Sequence, residues 1–339
     1  MTDTSPAAPV LVGLDDGYAL TKVALPGDRL TVIPSRARVG PSGVTAVLQG
    51  GPRIFEYETG DTVYSAGAVD GAPTHFEGYA WSGLNRVIVQ HALQQAGLAG
   101  RTVHAVSGLP VSAFYRKSGA LREERINKKR DSLKKAVRPL SARPAEIAFH
   151  EVIPEALAAW YDHVIVERGD EAAVDKERLS TPIAIVDIGG RTTDYVVVQD
   201  QGIVHASSGS LPCGMLDVRQ RVADGIQERF DLEKLSEPRV TGAIERKTVR
   251  LQGQDHDIAS LVDAAKCEVV ERIHAETRRK LGLGTELDCV LFAGGGAVAL
   301  AGHIRGWFPH QLISEHAAFA NARGMLKYLR YVCEAPDAA

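Results

Sequence analysis

The sequence predicts an α/β protein built from two similar halves around a cleft. Three observations lead there: a β-hairpin with acids and a glycine at its turn near the start, a second hairpin of the same layout past mid-chain, and a strand–glycine–helix segment toward the end. The chain has 339 residues, 45% of them hydrophobic and 24% charged. At roughly 150 residues per domain this is room for about two domains, and the composition excludes a disordered or fibrous protein. Lys and Arg number 39 against 42 Asp and Glu, for a net charge of -3. Nothing in that balance draws the chain to nucleic acid or to an anionic membrane, so direct contact with either is not expected.

The first hairpin is VLVGLDDGYALTKVAL, residues 10–25, two β-prone runs separated by Asp15, Asp16 and Gly17. A short strand follows around Val103 to Val106, then a helix from Leu121 to Val137, then an amphipathic run after Pro154 in which the proline fits the first helical turn. The polar segment Glu167 to Pro182 reads as a helix end and a surface loop, and the boundary between halves is placed there: residues 1–176, then 177–324. The second hairpin is IAIVDIGGRTTDYVVVQDQG, residues 183–202. Ile258 to Leu281 reads as a helix, and Leu287 to Leu300 as a buried strand, a glycine turn and a helix. Residues 1–9, rich in Ser, Pro and Ala, read as a loose tail without the basic-then-apolar pattern of a signal peptide. No apolar run reaches the roughly 18 residues of a membrane span. Cys213, Cys267, Cys289 and Cys333 form no C-x-x-C pair, which fits a reduced, cytoplasmic setting.

The hairpins carry the chemistry. In the first, Asp15 stands at a strand end, Gly17 opens the turn and Lys22 follows on the next strand. Turn amides and Lys22 suit phosphate oxygens, and Asp15 suits the waters of a hydrated Mg²⁺. A plain Asp-Gly turn with a surface Lys explains that segment about equally well. The second hairpin repeats the device with Asp187, Gly189, Gly190, Thr192, Thr193 and Asp194, and two such turns can grip one nucleotide from both sides. Gly294, Gly295 and Gly296 let an adenosine lie against bare backbone. Gly294, Gly296 and Ala299 also spell a weak dinucleotide fingerprint, which keeps an NAD-binding enzyme as a minor alternative. Glu155 is read at the start of its helix, where the helix dipole favours a carboxylate and where it can orient a water for attack on phosphorus. Residues 121–138 carry eight Lys or Arg and three acids, read as a solvated helix face.

Taken in order, DDGYALTK (residues 15–22), DIGGRTTD (187–194) and FAGGGA (292–297) resemble the phosphate 1, phosphate 2 and adenosine motifs of the actin-like ATPase superfamily. Within that frame GLPVSAFYRK, ERINKKRDSLKKAV and EVIPEALAAWYDHV are similar to the ParM/StbA plasmid-segregation actins. The resemblance spans nearly the whole chain. It implies the actin-like fold, two α/β domains around a nucleotide cleft, with residues 325–339 returning to the first. It implies ATP or ADP (or GTP) with Mg²⁺, assembly of the chain with itself into filaments, and a DNA-binding adaptor on a plasmid centromere as the partner, without direct nucleic-acid contact. Carried over position by position, Asp15 and Asp187 set the Mg²⁺ through its waters, and Gly17, Lys22, Gly189, Gly190, Arg191, Thr192 and Thr193 hold phosphates. Glu155 positions the attacking water, with Asp187 the second catalytic acid. Gly294, Gly295 and Gly296 line the adenosine, and Gly214 lies near the nucleotide. Arg191 departs from the threonine expected there and adds a cation where a hydroxyl is the rule. A metabolite kinase of the same superfamily is the main alternative.

Overall fold

The computed structural model describes residues 8–43, 53–72, 74–168 and 171–333. The expected N-terminal tail therefore falls largely, and the end of the returning segment at 334–339 wholly, outside the described residues. The first half opens with β1 (Val10–Asp16), β2 (Leu20–Leu25) and β3 (Arg29–Pro34), continues through α1 (Gly83–Gln95), β4 (Thr102–Leu109), α2 (Glu123–Lys134) and β5 (Glu146–Pro154), and turns into α3 (Leu157–Val164). The second half holds β6 (Ile183–Ile188), β7 (Thr193–Gln199), α4 (Met215–Phe230), α5 (Glu237–Arg246), α6 (Ala259–Leu281), β8 (Cys289–Ala293), α7 (Gly294–Ala299) and β9 (Gln311–Ile313), and the chain closes with α8 (Ala320–Tyr331).

Both halves repeat one sheet pattern. In the first, the order is β3-β2-β1-β4-β5, with β1 antiparallel to β2 and parallel to β4. In the second, β7, β6, β8 and β9 lie in that order, with β6 antiparallel to β7 and parallel to β8. The central strands read as near-continuous apolar runs because both faces are covered; every residue of β6 is buried. Helices α4 and α6 offer Val218, Val222, Ile226 and Val262, Val269, Ile273 at helical spacing to one face of the second sheet. The opposite face packs on α3, through Trp160 and Val164 against Ile183, Ile185, Val196 and Val198. A separate four-stranded sheet, which includes Ile54–Thr59 and Thr62–Gly67, caps the outer end of the first half.

Helix α8 lies on the first sheet, Met325 and Leu329 meeting Val106 and Ile153, and Leu326 meeting Ala24. It approaches so closely that a Cβ on Gly13 would stand 1.9 Å from the Ala322 carbonyl oxygen. Gly324 meets α3 in the same way, at 1.6 Å from the Ala158 carbonyl oxygen.

Two expectations need correction. Pro154 is the last residue of β5, with Ala156 preceding α3 at φ 62, so neither Pro154 nor Glu155 belongs to a first helical turn. The extended strand continues because Val152 and Ile153 are core residues that pair with β4. The stretch after Glu167 is not a bare loop: Ile165–Arg168 pairs with Glu171–Val174, and Lys176–Ser180 is a short helix whose N-terminal amides are capped by Asp175.

Candidate nucleotide cleft

The two hairpin turns face each other between the halves. In the first, Asp15 pairs with Lys22 in register, and the Lys22 ammonium donates to Asp15 Oδ2 at 2.7 Å. Asp16 is turned inward, where it accepts from Asn85 Nδ2 at 2.7 Å and pairs with the Lys129 ammonium. The turn is pinned from outside: Ser35 Oγ donates to the Gly17 carbonyl and Thr74 Oγ1 to the Tyr18 carbonyl, each at 2.6 Å.

In the second hairpin Asp187 pairs with Asp194, and the turn closes with Gly189 N–H donating to the Thr192 carbonyl at 2.9 Å. Helix α4 holds this turn by its first amides, Met215 and Leu216 donating to the carbonyls of Gly189 and Gly190. Gly214 sits under them; a Cβ there would come within 2.6 Å of both carbonyl oxygens. Thr193 is fully buried and its hydroxyl donates to the Cys213 carbonyl, so that proton is not on offer to a phosphate. Asp194 reaches the other half, accepting from the Val111 amide at 2.7 Å and from Ser210 Oγ. The turns touch: a Cβ on Gly190 would lie 2.8 Å from the Ala19 Cβ. Arg191 crosses the gap and lays its guanidinium 5.0 Å from the centroid of the Tyr18 ring.

The glycine segment meets the same acid. Gly294, at φ 84, starts α7 directly after β8, and a Cβ there would be 2.4 Å from Asp187 Oδ1; Gly296 lies as tightly on Ile188, while Gly295 faces open space. A dinucleotide reading of these glycines loses its context, since the strand before them is an inner strand of the second sheet and, among the described residues, only β9 follows in that sheet. Glu155 leaves the end of β5 through the Ala156 elbow and lies over Gly108, whose missing side chain gives it room.

Five carboxyls, Asp15, Asp16, Glu155, Asp187 and Asp194, thus crowd one cleft with the Lys22 and Lys129 ammonium groups paired to the first two. Burial, then Asp194, pushes the Asp187 carboxyl up to about 7, against the opposing hydrogen bond from Asn321. Burial, then Asp194 and Asp15, lifts Glu155 well above the usual carboxylate range. Burial works to lower Lys22, but Asp15 in contact, with Asp187 and Glu155 beyond, raises it on balance. Asp187 Oδ1, Asp194 Oδ2 and Arg191 Nη1 are buried without a hydrogen-bond partner. Orphaned acceptors in an over-acidic pocket fit a divalent cation. Among the described residues no three His, Cys, Asp or Glu side chains converge to ligate one directly, so a Mg²⁺ fits here through its waters and a ligand's phosphates.

The structure thus brings the two turns, the glycine segment and Glu155 close together, with the Thr193 hydroxyl turned away from them to the Cys213 carbonyl. Several others were missed. Lys129 lies within the basic segment taken as a solvated face, yet it is 1% exposed and serves Asp16. Asn321, which donates to Asp187 at 2.7 Å, had no motif to mark it. Tyr18, whose ring faces Arg191, carries one sequence signal, its place between the two motif residues Gly17 and Lys22.

These features define an actin-like fold. Residues 45–165 match the family described as plasmid segregation protein ParM, N-terminal, and residues 185–306 that described as archaeal actin homologue MreB-like, C-terminal. The chain thus joins a first half that matches the ParM/StbA family to a second half that matches an archaeal actin-homologue family, on one actin-like fold. Among solved structures it is similar to a non-polymerisable quadruple mutant of pCBH ParM, with 18% identity and a TM-score of 0.75 over 95% of this chain and 99% of that one. It is similar to the ParM of a 15-stranded filament from Clostridium botulinum, with 17% identity and a TM-score of 0.74 over 95% and 99%. The archaeal actin homolog Ta0583, in complex with ADP, has 19% identity and a TM-score of 0.71 over 94% and 99%. No curated protein sequence matches the chain.

Proposed function

We propose that this chain is a cytoplasmic ATPase that assembles with itself into filaments when it holds ATP, and that those filaments separate plasmid copies. The observation that carries the reading is the meeting of two phosphate-type turns over Asp187 Oδ1, a buried acid oxygen without a protein partner. The solved relatives support it, one as a filament and one with ADP bound. In this reading the amides of Gly17 and of Gly190 to Thr192, with Lys22, hold the phosphates, and Gly294 to Gly296 and Gly214 border the adenosine. Asp15 and Asp187 would hold the waters of a bound Mg²⁺, whose charge would offset that of the phosphates. Glu155, kept from ionising easily by burial and by its acidic neighbours, accepts a hydrogen bond from the attacking water and orients it. Hydrolysis weakens the filament by removing the group that both halves grip. A DNA-binding adaptor on the plasmid centromere is the expected partner, with GTP an alternative nucleotide. No described helix is long and apolar enough to cross a membrane.

Light scattering after addition of Mg-ATP, over a series of protein concentrations, tests the reading. A rise above a critical concentration followed by decay as ATP is consumed is expected. ATP binding with no rise at any concentration would point to a metabolite kinase instead.

A further inference from the structure

The side chain of Arg191 is the one feature of the second turn that the family pattern does not supply. It projects from the turn with Nη1 buried and without a hydrogen-bond partner. Its guanidinium is held over Tyr18, a residue of the opposite turn, at 5.0 Å. Tyr18 is itself braced by Tyr79, with ring centroids 5.0 Å apart, and its hydroxyl is pushed up to about 12 by burial and by Glu155, so the ring stays neutral. Arg191 also borders a cavity of about 270 Å³ together with His75, Leu216 and Asp217.

A guanidinium resting on an aromatic face keeps its in-plane N–H groups available, because the stack uses the flat of the group and the donors lie at its edge. With one edge nitrogen already stripped of water and partner, the group is prepaid for an anion that arrives between the two turns. A nucleoside diphosphate and a triphosphate differ there by one terminal phosphoryl group.

Resting on the nucleotide-site reading above, we propose that Arg191 reads the terminal phosphate: it donates from its edge to the γ-phosphoryl oxygens while Tyr18 holds the guanidinium in place, and so makes the cleft prefer a triphosphate. The threonine expected at this position offers one short neutral donor. Arg191 offers a charged fork reaching across the gap, and ties the state of the nucleotide to contact between the halves through Tyr18.

The test is the ratio of dissociation constants for ADP and for a non-hydrolysable ATP analogue, read by fluorescence of labelled nucleotides at fixed Mg²⁺. Arg191→Thr is expected to reduce the preference for the triphosphate about tenfold, the loss of one charge-assisted hydrogen bond. Tyr18→Phe, which keeps the ring face, is expected to retain the preference, and Tyr18→Leu to lose about as much as Arg191→Thr. An unchanged ratio in Arg191→Thr, or an equal loss of both nucleotides, overturns the proposal. Failure of the unaltered protein to bind either nucleotide overturns the underlying site reading instead, and circular dichroism of each variant excludes misfolding as the cause.

Discussion

Asn321 joins the two halves through one amide: its Nδ2 donates to Asp187 Oδ2 at 2.7 Å and its Oδ1 accepts from the Ala156 amide at 3.1 Å. The first contact is with the acid of the second hairpin, the second with the elbow that carries Glu155. A single side chain at the start of α8 therefore ties Asp187 to the backbone next to Glu155.

Asn321→Ala orphans the Ala156 amide in a buried place. Urea denaturation is expected to show a loss of about 1–3 kcal/mol. The Mg²⁺ concentration needed for half-maximal nucleotide binding is expected to rise, since Asp187 loses the donor that favours its charged form. Unaltered stability and unaltered Mg²⁺ demand would remove Asn321 from the site.

Asp187 gives stability a definite pH dependence. Its carboxyl is raised from 3.8 to about 7 in the folded protein, so between those values the native state keeps a proton that the unfolded chain has lost. Its contribution is full below about pH 4 and declines as pH rises through 7. Asp187→Asn removes that dependence, so its advantage in melting temperature over the unaltered protein is expected to widen from pH 5 to pH 8, by on the order of 1–4 kcal/mol in stability. For the unaltered protein, added Mg²⁺ is expected to raise the melting temperature more at pH 8 than at pH 5.5. A flat comparison across that range would contradict the placement of this acid.

The three glycines of α7 separate folding from binding. Gly295→Ala has open space for its methyl and sits in a helix, so stability is expected to hold or rise by up to about 1 kcal/mol while nucleotide affinity falls. Gly294→Ala must push its Cβ into the Ile188 carbonyl and Asp187 at a positive φ, and is expected to cost several kcal/mol, on the order of 2–4. Equal melting temperatures for the two variants would show that the glycine turn is not as tightly seated as described.

Lys129 and Lys128 are neighbours with opposite fates. Lys129→Met leaves Asp16 as an unpaired buried acid and is expected to cost about 3–5 kcal/mol. Lys128→Ala breaks an exposed pair with Glu124 and is expected to change stability by less than about 0.5 kcal/mol. Chemical denaturation of both variants decides it.

The contrast between those lysines shows what was legible in the sequence. The hairpins could be read because β1, β2, β6 and β7 carry their signal locally, as apolar runs flanking Asp and Gly turns. The chemistry of Asp15, Asp187 and Gly294 to Gly296 follows from the same few residues. Lys129 could not be read, because its charge matches its neighbours and its burial depends on where α2 meets β1, more than a hundred positions away in sequence. Asn321 was hidden for the same reason. Pro154 misled because a proline suits both the first turn of a helix and the end of a strand, and the choice was made by β4 pairing alongside β5.

The seating of α8 on β1 sets an order of manufacture. Gly13 is synthesised about 300 residues before the helix that covers it, a delay on the order of tens of seconds at ordinary elongation rates. Until then Val106, Ile153 and Ala24 lack their lid. The first half is therefore expected to wait, open on one face, for α8, and a nascent chain arrested before Ala320 is expected to be cut by protease at sites that the folded protein protects.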